Sequence, residues 1–173
     1  MANEITIPVR LSAGEFRRFA YFNTFQRQKK WQRPVVFMVI FVVFSLIAFF
    51  SGRPQSPLLG GVLLVVGLGL PLSYFGTFFV QVSRQIRSNQ LKKPRLVYTL
   101  RIRRLGVHIQ REQEDVELAW EKIYAACRVG KSIYLYATPE RAFLIPGGQG
   151  TASPEKIWAQ IVQFMPKGRC YVF

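Results

Sequence analysis

The chain has 173 residues, a hydrophobic share of 50% and a formal net charge of +15. Once two long apolar runs are set aside, about 90 residues follow, enough for one small globular domain and too few for two. Two cysteines and one histidine cannot build the usual four-ligand zinc site, and the cationic excess does not require nucleic acid, because basic residues beside a membrane attract anionic lipid at about 1 kcal/mol each.

Ile5, Ile7, Val9 and Leu11 alternate with Thr6, Pro8 and Arg10, which predicts a short strand that Pro8 confines to a sheet edge. Ser12-Ala13-Gly14-Glu15 is a capping box, in which the hydroxyl accepts an orphan N–H of the first turn and the carboxylate reaches back. A helix is predicted from there. Its aromatics (Phe16, Phe19, Tyr21, Phe22, Phe25, Trp31) are interspersed with Arg17, Arg18, Arg27, Lys29 and Lys30. That composition fits a helix lying at the level of lipid headgroups, with Trp31 and Arg33 marking entry into the bilayer. Packing of the same aromatics on a soluble domain is the alternative.

Two apolar runs dominate the next stretch, residues 34–50 and 58–80, joined by Ser51-Gly52-Arg53-Pro54-Gln55-Ser56-Pro57. A spanning helix needs about 20 apolar residues, because lipid offers the backbone no hydrogen-bond partner. Of residues 35–50, 13 of 16 are Leu, Ile, Val or Phe and none is charged, so roughly 4 to 8 kcal/mol favours insertion. A soluble core strand is too short to explain either run. A cleaved signal peptide would need residues 1–33 as its charged leader and has no small-residue cleavage site after Phe50.

Seven Lys/Arg precede the first run (Arg10, Arg17, Arg18, Arg27, Lys29, Lys30, Arg33), Arg53 alone lies between the runs, and Arg84, Arg87, Lys92, Lys93 and Arg95 follow the second. Cytoplasmic flanks retain Lys and Arg, which predicts a hairpin with both termini cytoplasmic. Cys127 and Cys170 then lie in a reducing compartment, where a structural disulfide is not expected. Neither run carries an ionisable residue, which argues against transport by the chain alone. In the second run, Gly61, Gly69, Ser73 and Thr77 fall on one stripe, a helix-packing pattern. It could serve the first span, a second copy of the chain or a partner protein. Pro71 is expected to kink the helix.

Residues 82–94 form a polar exit, helical at first and stopped before Pro94. From Arg95 the period becomes two. Leu96, Tyr98, Leu100 and Ile102 make one strand; Gly106 turns the chain into Val107, Ile109 and Arg111; Val116, Leu118 and Trp120 make a third. Strands are predicted over 123–129, 132–138 and 142–146. Without crossover helices a parallel sheet is not expected. Ser153 caps a final helix with Pro154 at its first position, an apolar face of Ile157, Trp158, Ile161, Val162 and Met165, and a stop at Pro166. The expected fold is an α+β membrane protein: a two-helix transmembrane hairpin plus a small antiparallel pleckstrin-homology-like β-barrel, capped by the C-terminal helix with Trp158 as its plug.

The order of several weak motifs resembles the bacterial YcxB-like family. They are Tyr21-Phe22, Phe25-Gln26, the hairpin, Tyr98-Thr99-Leu100, Gly106-Val107, Glu117 to Trp120 with Ile123-Tyr124, Ile133 to Tyr136, and Ala142 to Pro146. The resemblance spans nearly the whole chain and implies a membrane-anchored domain similar to pleckstrin-homology folds, with no catalytic residues to carry over. After Pro146, where similar proteins continue with a basic residue and an aromatic, this chain has Gly147-Gly148-Gln149-Gly150.

Candidate sites are few. Arg101, Arg103 and Arg104, with Lys92 and Lys93 nearby in sequence, are candidate contacts for anionic lipid headgroups, since guanidinium forks match phosphate oxygens; a plain solvated face is the alternative. The glycine run before Ser153 could cradle an anion but lacks the Gly-Lys-Ser/Thr of a phosphate loop, so a connecting loop is the simpler reading. His108 has no nucleophile at a telling spacing, and Glu112, Glu114, Asp115 and Glu117 match no calcium loop.

The sequence reading is therefore a non-enzymatic interaction or scaffold module of the bacterial inner membrane. It comprises an edge strand and amphipathic helix (1–33), a hairpin (34–81, with spans 34–51 and 58–80), a connector (82–94) and a cytoplasmic domain (95–173). Expected partners are the lipid bilayer, including its anionic lipids, and an unidentified protein, with a second copy of the chain as a further candidate; no cofactor or metal is expected. An accessory subunit of a transport complex, or an enzyme, is the competing reading.

Overall fold

The computed structural model of the chain describes residues 4–111, 115–150 and 152–173. The chain divides into two compact units, one made of the residues up to 15 together with 91–173, the other of residues 16–90.

The first unit is built on two four-stranded sheets. In one, β1 (Ile5–Leu11), β2 (Arg95–Ile102), β3 (Gly106–Gln110) and β4 (Asp115–Ala119) follow in order, all antiparallel. Ile7, Val9 and Leu11 of β1 and Tyr98, Leu100 and Ile102 of β2 are buried, so the period-two pattern does select one face. Pro8 sits on the edge strand, where no ladder hydrogen bond is asked of it. β1, assigned from sequence to the leader, is instead a full member of this sheet, and the domain is discontinuous in sequence. Glycine is needed at Gly106 because a Cβ there would run into the carbonyl of Leu118 on the neighbouring strand.

The second sheet has the order β7 (Ala142–Ile145), β6 (Ser132–Tyr136), β5 (Ala125–Val129) and β8 (Cys170–Val172). β8 was not expected, and it pairs with β5 in parallel. Three residues with one aromatic carry too little periodicity to announce a strand, and the parallel geometry is possible because β6, β7 and a helix supply the long connection that such a pair needs. The all-antiparallel expectation is therefore corrected to a mixed sheet. Trp120, expected at the end of the third strand, lies in a short 3-10 turn, Trp120–Lys122, and the fourth strand starts at Ala125.

The two sheets are separate hydrogen-bonded ladders, so the described strands do not show the antiparallel barrel expected from sequence. Side chains make the links that a continuous ladder would make. The Tyr98 hydroxyl on β2 donates to the Leu144 carbonyl on β7 (2.9 Å) and accepts from the Leu144 N–H (2.7 Å). Gln149 donates to the Arg10 carbonyl and accepts from its N–H, both at 2.7 Å, which mimics a strand partner on the free edge of β1. Trp120 donates its indole N–H to the Arg103 carbonyl (3.0 Å), and Arg169 donates to the carbonyls of Glu121 and Ile123.

The C-terminal helix, Pro154–Phe164, is capped by Ser153 as its sequence predicts, with the hydroxyl accepting from the Lys156 N–H. Ile157, Ile161 and Met165 are the side chains it buries, while Trp158 is only half-buried. The plug expected at Trp158 is instead the smaller Ile157 and Ile161, and Trp120, its ring tilted against Phe164 at 5.9 Å, supplies the buried indole.

In the second unit, the first helix, α1 (Ala13–Tyr21), starts at the capping box: the Glu15 carboxylate accepts from both the N–H and the hydroxyl of Ser12. The boundary between the units falls inside this helix. It passes into a π-helical turn, Phe22–Arg27, then α2 (Gln32–Phe50) and α3 (Ser56–Ser88). At 1.5 Å per residue these last two are about 28 and 50 Å long, and both are long and apolar enough to cross a membrane. α3 runs unbroken through Pro71 and absorbs the helical part of the connector. The C-terminal helix is α4.

Burial pushes the Tyr98 phenol above the usual tyrosine range, its bond to Leu144 and the nearby Arg111 opposing only part of that rise. A folded value above the unfolded one means that Tyr98 contributes stability that is intact below pH ~10 and is lost as pH rises beyond it. Tyr98→Phe is expected to cost about 1 to 3 kcal/mol by leaving Leu144 unpaired, lowering the Tm of the full-length chain in detergent and flattening its fall above pH ~10. An unchanged Tm would show that the hydroxyl does not join the sheets.

Candidate functional site

Strand alternation does place Arg101 and Arg103 on the outer face of the first sheet, but not alone. Arg103 pairs with Glu4 at 3.2 Å, and Arg101 reaches Gln110 at 3.4 Å. His108 lies opposite Arg101 on one side and Glu117 on the other, with Asp115 at 3.8 Å from its Nε2. The face therefore carries the carboxylates Glu4, Asp115 and Glu117 beside its two guanidinium groups. It is a mixed-charge surface: Arg103 is paired, the Arg101 Nε is buried without a hydrogen-bond partner among the described residues, and the neighbouring carboxylates weaken the field that an incoming phosphate would meet.

Arg104 is exposed in the turn after β2, while Lys92 and Lys93 precede that strand. Eight strand residues, about 26 Å, separate them. The five residues grouped by sequence thus do not form one patch: β2, an extended element, holds them apart.

The glycine run has a structural explanation. A Cβ at Gly147 would strike Lys131, and Gly148 and Gly150 have φ of 82° and 97°. Those backbone angles deliver Gln149 to Arg10. Glu112 and Glu114 lie outside the described residues; among those described, no three His, Cys, Asp or Glu side chains gather in a metal-binding group. Neither Cys127 nor Cys170 is in a disulfide, and they lie on the paired strands β5 and β8. Burial raises the Cys170 thiol, which keeps it protonated and a poor nucleophile at neutral pH.

The helix-packing stripe is displaced by one helical face. Gly61 and Gly69 have open space where a Cβ would stand, and Ser73 and Thr77 are exposed. The seam between α2 and α3 uses Ser56, Gly60, Gly67 and Pro71, all buried. A Cβ at Gly60 would come within 2.9 Å of the Phe49 ring and 3.1 Å of the Ser45 carbonyl, and one at Gly67 within 2.7 Å of Phe41. The fully buried Ser45 hydroxyl donates to the Gly60 carbonyl at 2.7 Å, a bond possible only where the backbones nearly touch. Both glycine series have helical spacing, so sequence spacing does not tell them apart; the presence of Ser45 opposite Gly60 does.

Charge is segregated along the chain, a feature that no local motif carries. Residues 16–90 contain Arg17, Arg18, Arg27, Lys29, Lys30, Arg33, Arg53, Arg84 and Arg87 and not one Asp or Glu. All nine carboxylates of the chain lie in the other unit. Counting acidic residues by segment, rather than cations alone, is the signal that finds it. Apart from Arg53, these cations flank the apolar helices on one side of the hairpin. Comparison with protein-family models, curated proteins and solved structures gives no match.

The seam yields a paired prediction. Gly60→Val and Gly67→Val overpack it, at about 1 to 3 kcal/mol each, and are expected to lower the Tm of the detergent-solubilised chain; Gly61→Val and Gly69→Val are expected to leave it unchanged. The reverse order would move the packing face back to the stripe read from sequence.

Proposed function

We propose that the chain is a membrane-anchored, non-enzymatic interaction module. It holds a pleckstrin-homology-like domain of the YcxB-like kind at the cytoplasmic face of a bacterial inner membrane, where the domain recruits a protein partner. The observation that carries this reading is the way the apolar helices are inserted. The whole of residues 16–90 is the connection between two hydrogen-bonded neighbours, β1 and β2. The Ala13 N–H donates to the Leu91 carbonyl at 3.0 Å, so the chain leaves and re-enters the domain at one point. A segment whose two ends meet must cross a bilayer an even number of times, and two helices supply two crossings.

The surfaces of those helices support insertion. In the most apolar 18-residue windows only 11% of residues of α2 and 17% of α3 are buried. Phe50, Leu58, Val65 and Leu72 are each at least 70% exposed. A core helix of a soluble protein buries such side chains, and a contiguous apolar surface of this size marks contact with lipid or protein. The cation-rich ends of the helices favour the cytoplasmic side.

Fusion of a reporter after Phe173 is expected to give activity only for a reporter that works in the cytoplasm, with the chain resisting alkaline extraction from membranes. Activity of a reporter that works only outside the cytoplasm would overturn the orientation. Purification in mild detergent is expected to retain a protein partner in reproducible ratio. Retention of a larger polytopic transporter would favour the accessory-subunit reading.

A further inference from the structure

At the foot of the hairpin, a groove of about 910 Å³ opens between the start of α2 and the facing part of α3. Its rim holds Lys29, Lys30 and Arg33, and its walls include Phe37, Leu70 and Tyr74. Arg33 and Phe37 are one turn apart on α2, and Leu70 and Tyr74 one turn apart on α3, so each pair shares a face. The groove is therefore charged at its mouth and apolar below it. Lys29 adopts a left-handed backbone with φ of 48°, a conformation that a lysine rarely takes and that sets it beside Lys30 at the mouth. The α2 N-terminus at the same place has no side-chain cap, Trp31 supplying none, so its positive pole adds to the three cations. No carboxylate in residues 16–90 neutralises them.

We propose that this groove binds an anionic diacyl phospholipid from the surrounding bilayer, its phosphate held by Lys29, Lys30 and Arg33 and the upper part of an acyl chain lying along Phe37, Leu70 and Tyr74. The occupant follows from complementarity: three cations with no ion-pair partner among the described residues call for an anion, and the apolar walls call for a hydrocarbon chain attached to it. Free phosphate would satisfy only the mouth. The volume is of the size that ligand sites commonly have, and basic pockets between membrane helices on the cytoplasmic side are suited to acidic headgroups. The inference rests on the membrane reading above.

The test uses the full-length chain reconstituted in phosphatidylcholine vesicles containing a trace of chain-spin-labelled phosphatidylglycerol or, in parallel, spin-labelled phosphatidylcholine. The fraction of label immobilised by the protein gives the selectivity. Wild type is expected to prefer phosphatidylglycerol, and Lys29→Gln/Lys30→Gln/Arg33→Gln to lose roughly tenfold or more of that preference. Lys29→Arg/Lys30→Arg is expected to keep it, as is Arg17→Gln/Arg84→Gln/Arg87→Gln, which removes the same charge elsewhere. Equal losses in the two neutralised variants, displacement of the lipid by excess inorganic phosphate, or no preference in wild type retained in the bilayer would each overturn the groove. A chain stripped from the vesicles by alkaline wash would overturn the membrane reading and the groove with it.

Discussion

The ladder between β1 and β2 is the constraint on which the rest of this structure depends. These strands pair from Ile5 opposite Ile102 to Leu11 opposite Arg95 although residues 12–94 separate them in sequence. Closing so long a connection costs conformational entropy that grows with loop length, and the pairing must offset it by burying Ile7, Val9, Leu100 and Ile102 almost completely. Because the ladder ends at Leu11 and Arg95, the exits to the helical unit are adjacent, and the Ala13–Leu91 hydrogen bond continues the closure by one more step. The inserted helices are thereby obliged to turn back on themselves, which the Ser45–Gly60 bond and the glycine seam accomplish.

Within the β unit a second constraint operates. Two short sheets with free edges invite wrong pairings, and the molecule answers with side chains rather than with more strands. Tyr98 uses one hydroxyl as both donor and acceptor toward Leu144, and Gln149 uses its amide in the same way toward Arg10. Each substitutes for one ladder pair. The glycines around Gln149 are thereby part of the closure of the fold, and their backbone freedom is spent on geometry instead of anion binding.

The sequence was most legible where one periodicity acts alone. The apolar runs, the Ser12–Glu15 capping box, the Ser153 cap and the alternation of β1 and β2 all read directly, since each is a local pattern with one physical cause. It was least legible where a partner decides. Nothing in Cys170-Tyr171-Val172 announces a parallel strand, because its pairing to β5 is set by the path through α4. Gly61 and Gly69 look as suitable for close packing as Gly60 and Gly67 until Phe49 and Phe41 are seen opposite the latter. Likewise Arg101 and Lys93 are near in sequence and far apart in space because a strand extends between them. The groove at Lys29, Lys30 and Arg33 escaped motif reading since its signal is the carboxylates that are missing, distributed over the whole helical unit.

Cysteine accessibility tests the bracketing of a membrane hairpin by β1 and β2 most directly. In intact cells carrying a Cys170→Ser background, with Cys127 buried, the account predicts that Gln55→Cys in the α2–α3 turn reacts with a membrane-impermeant thiol reagent. Lys131→Cys in the β5–β6 turn and Arg104→Cys in the β2–β3 turn are predicted to react only after permeabilisation. Labelling of all three positions from the same side would contradict it.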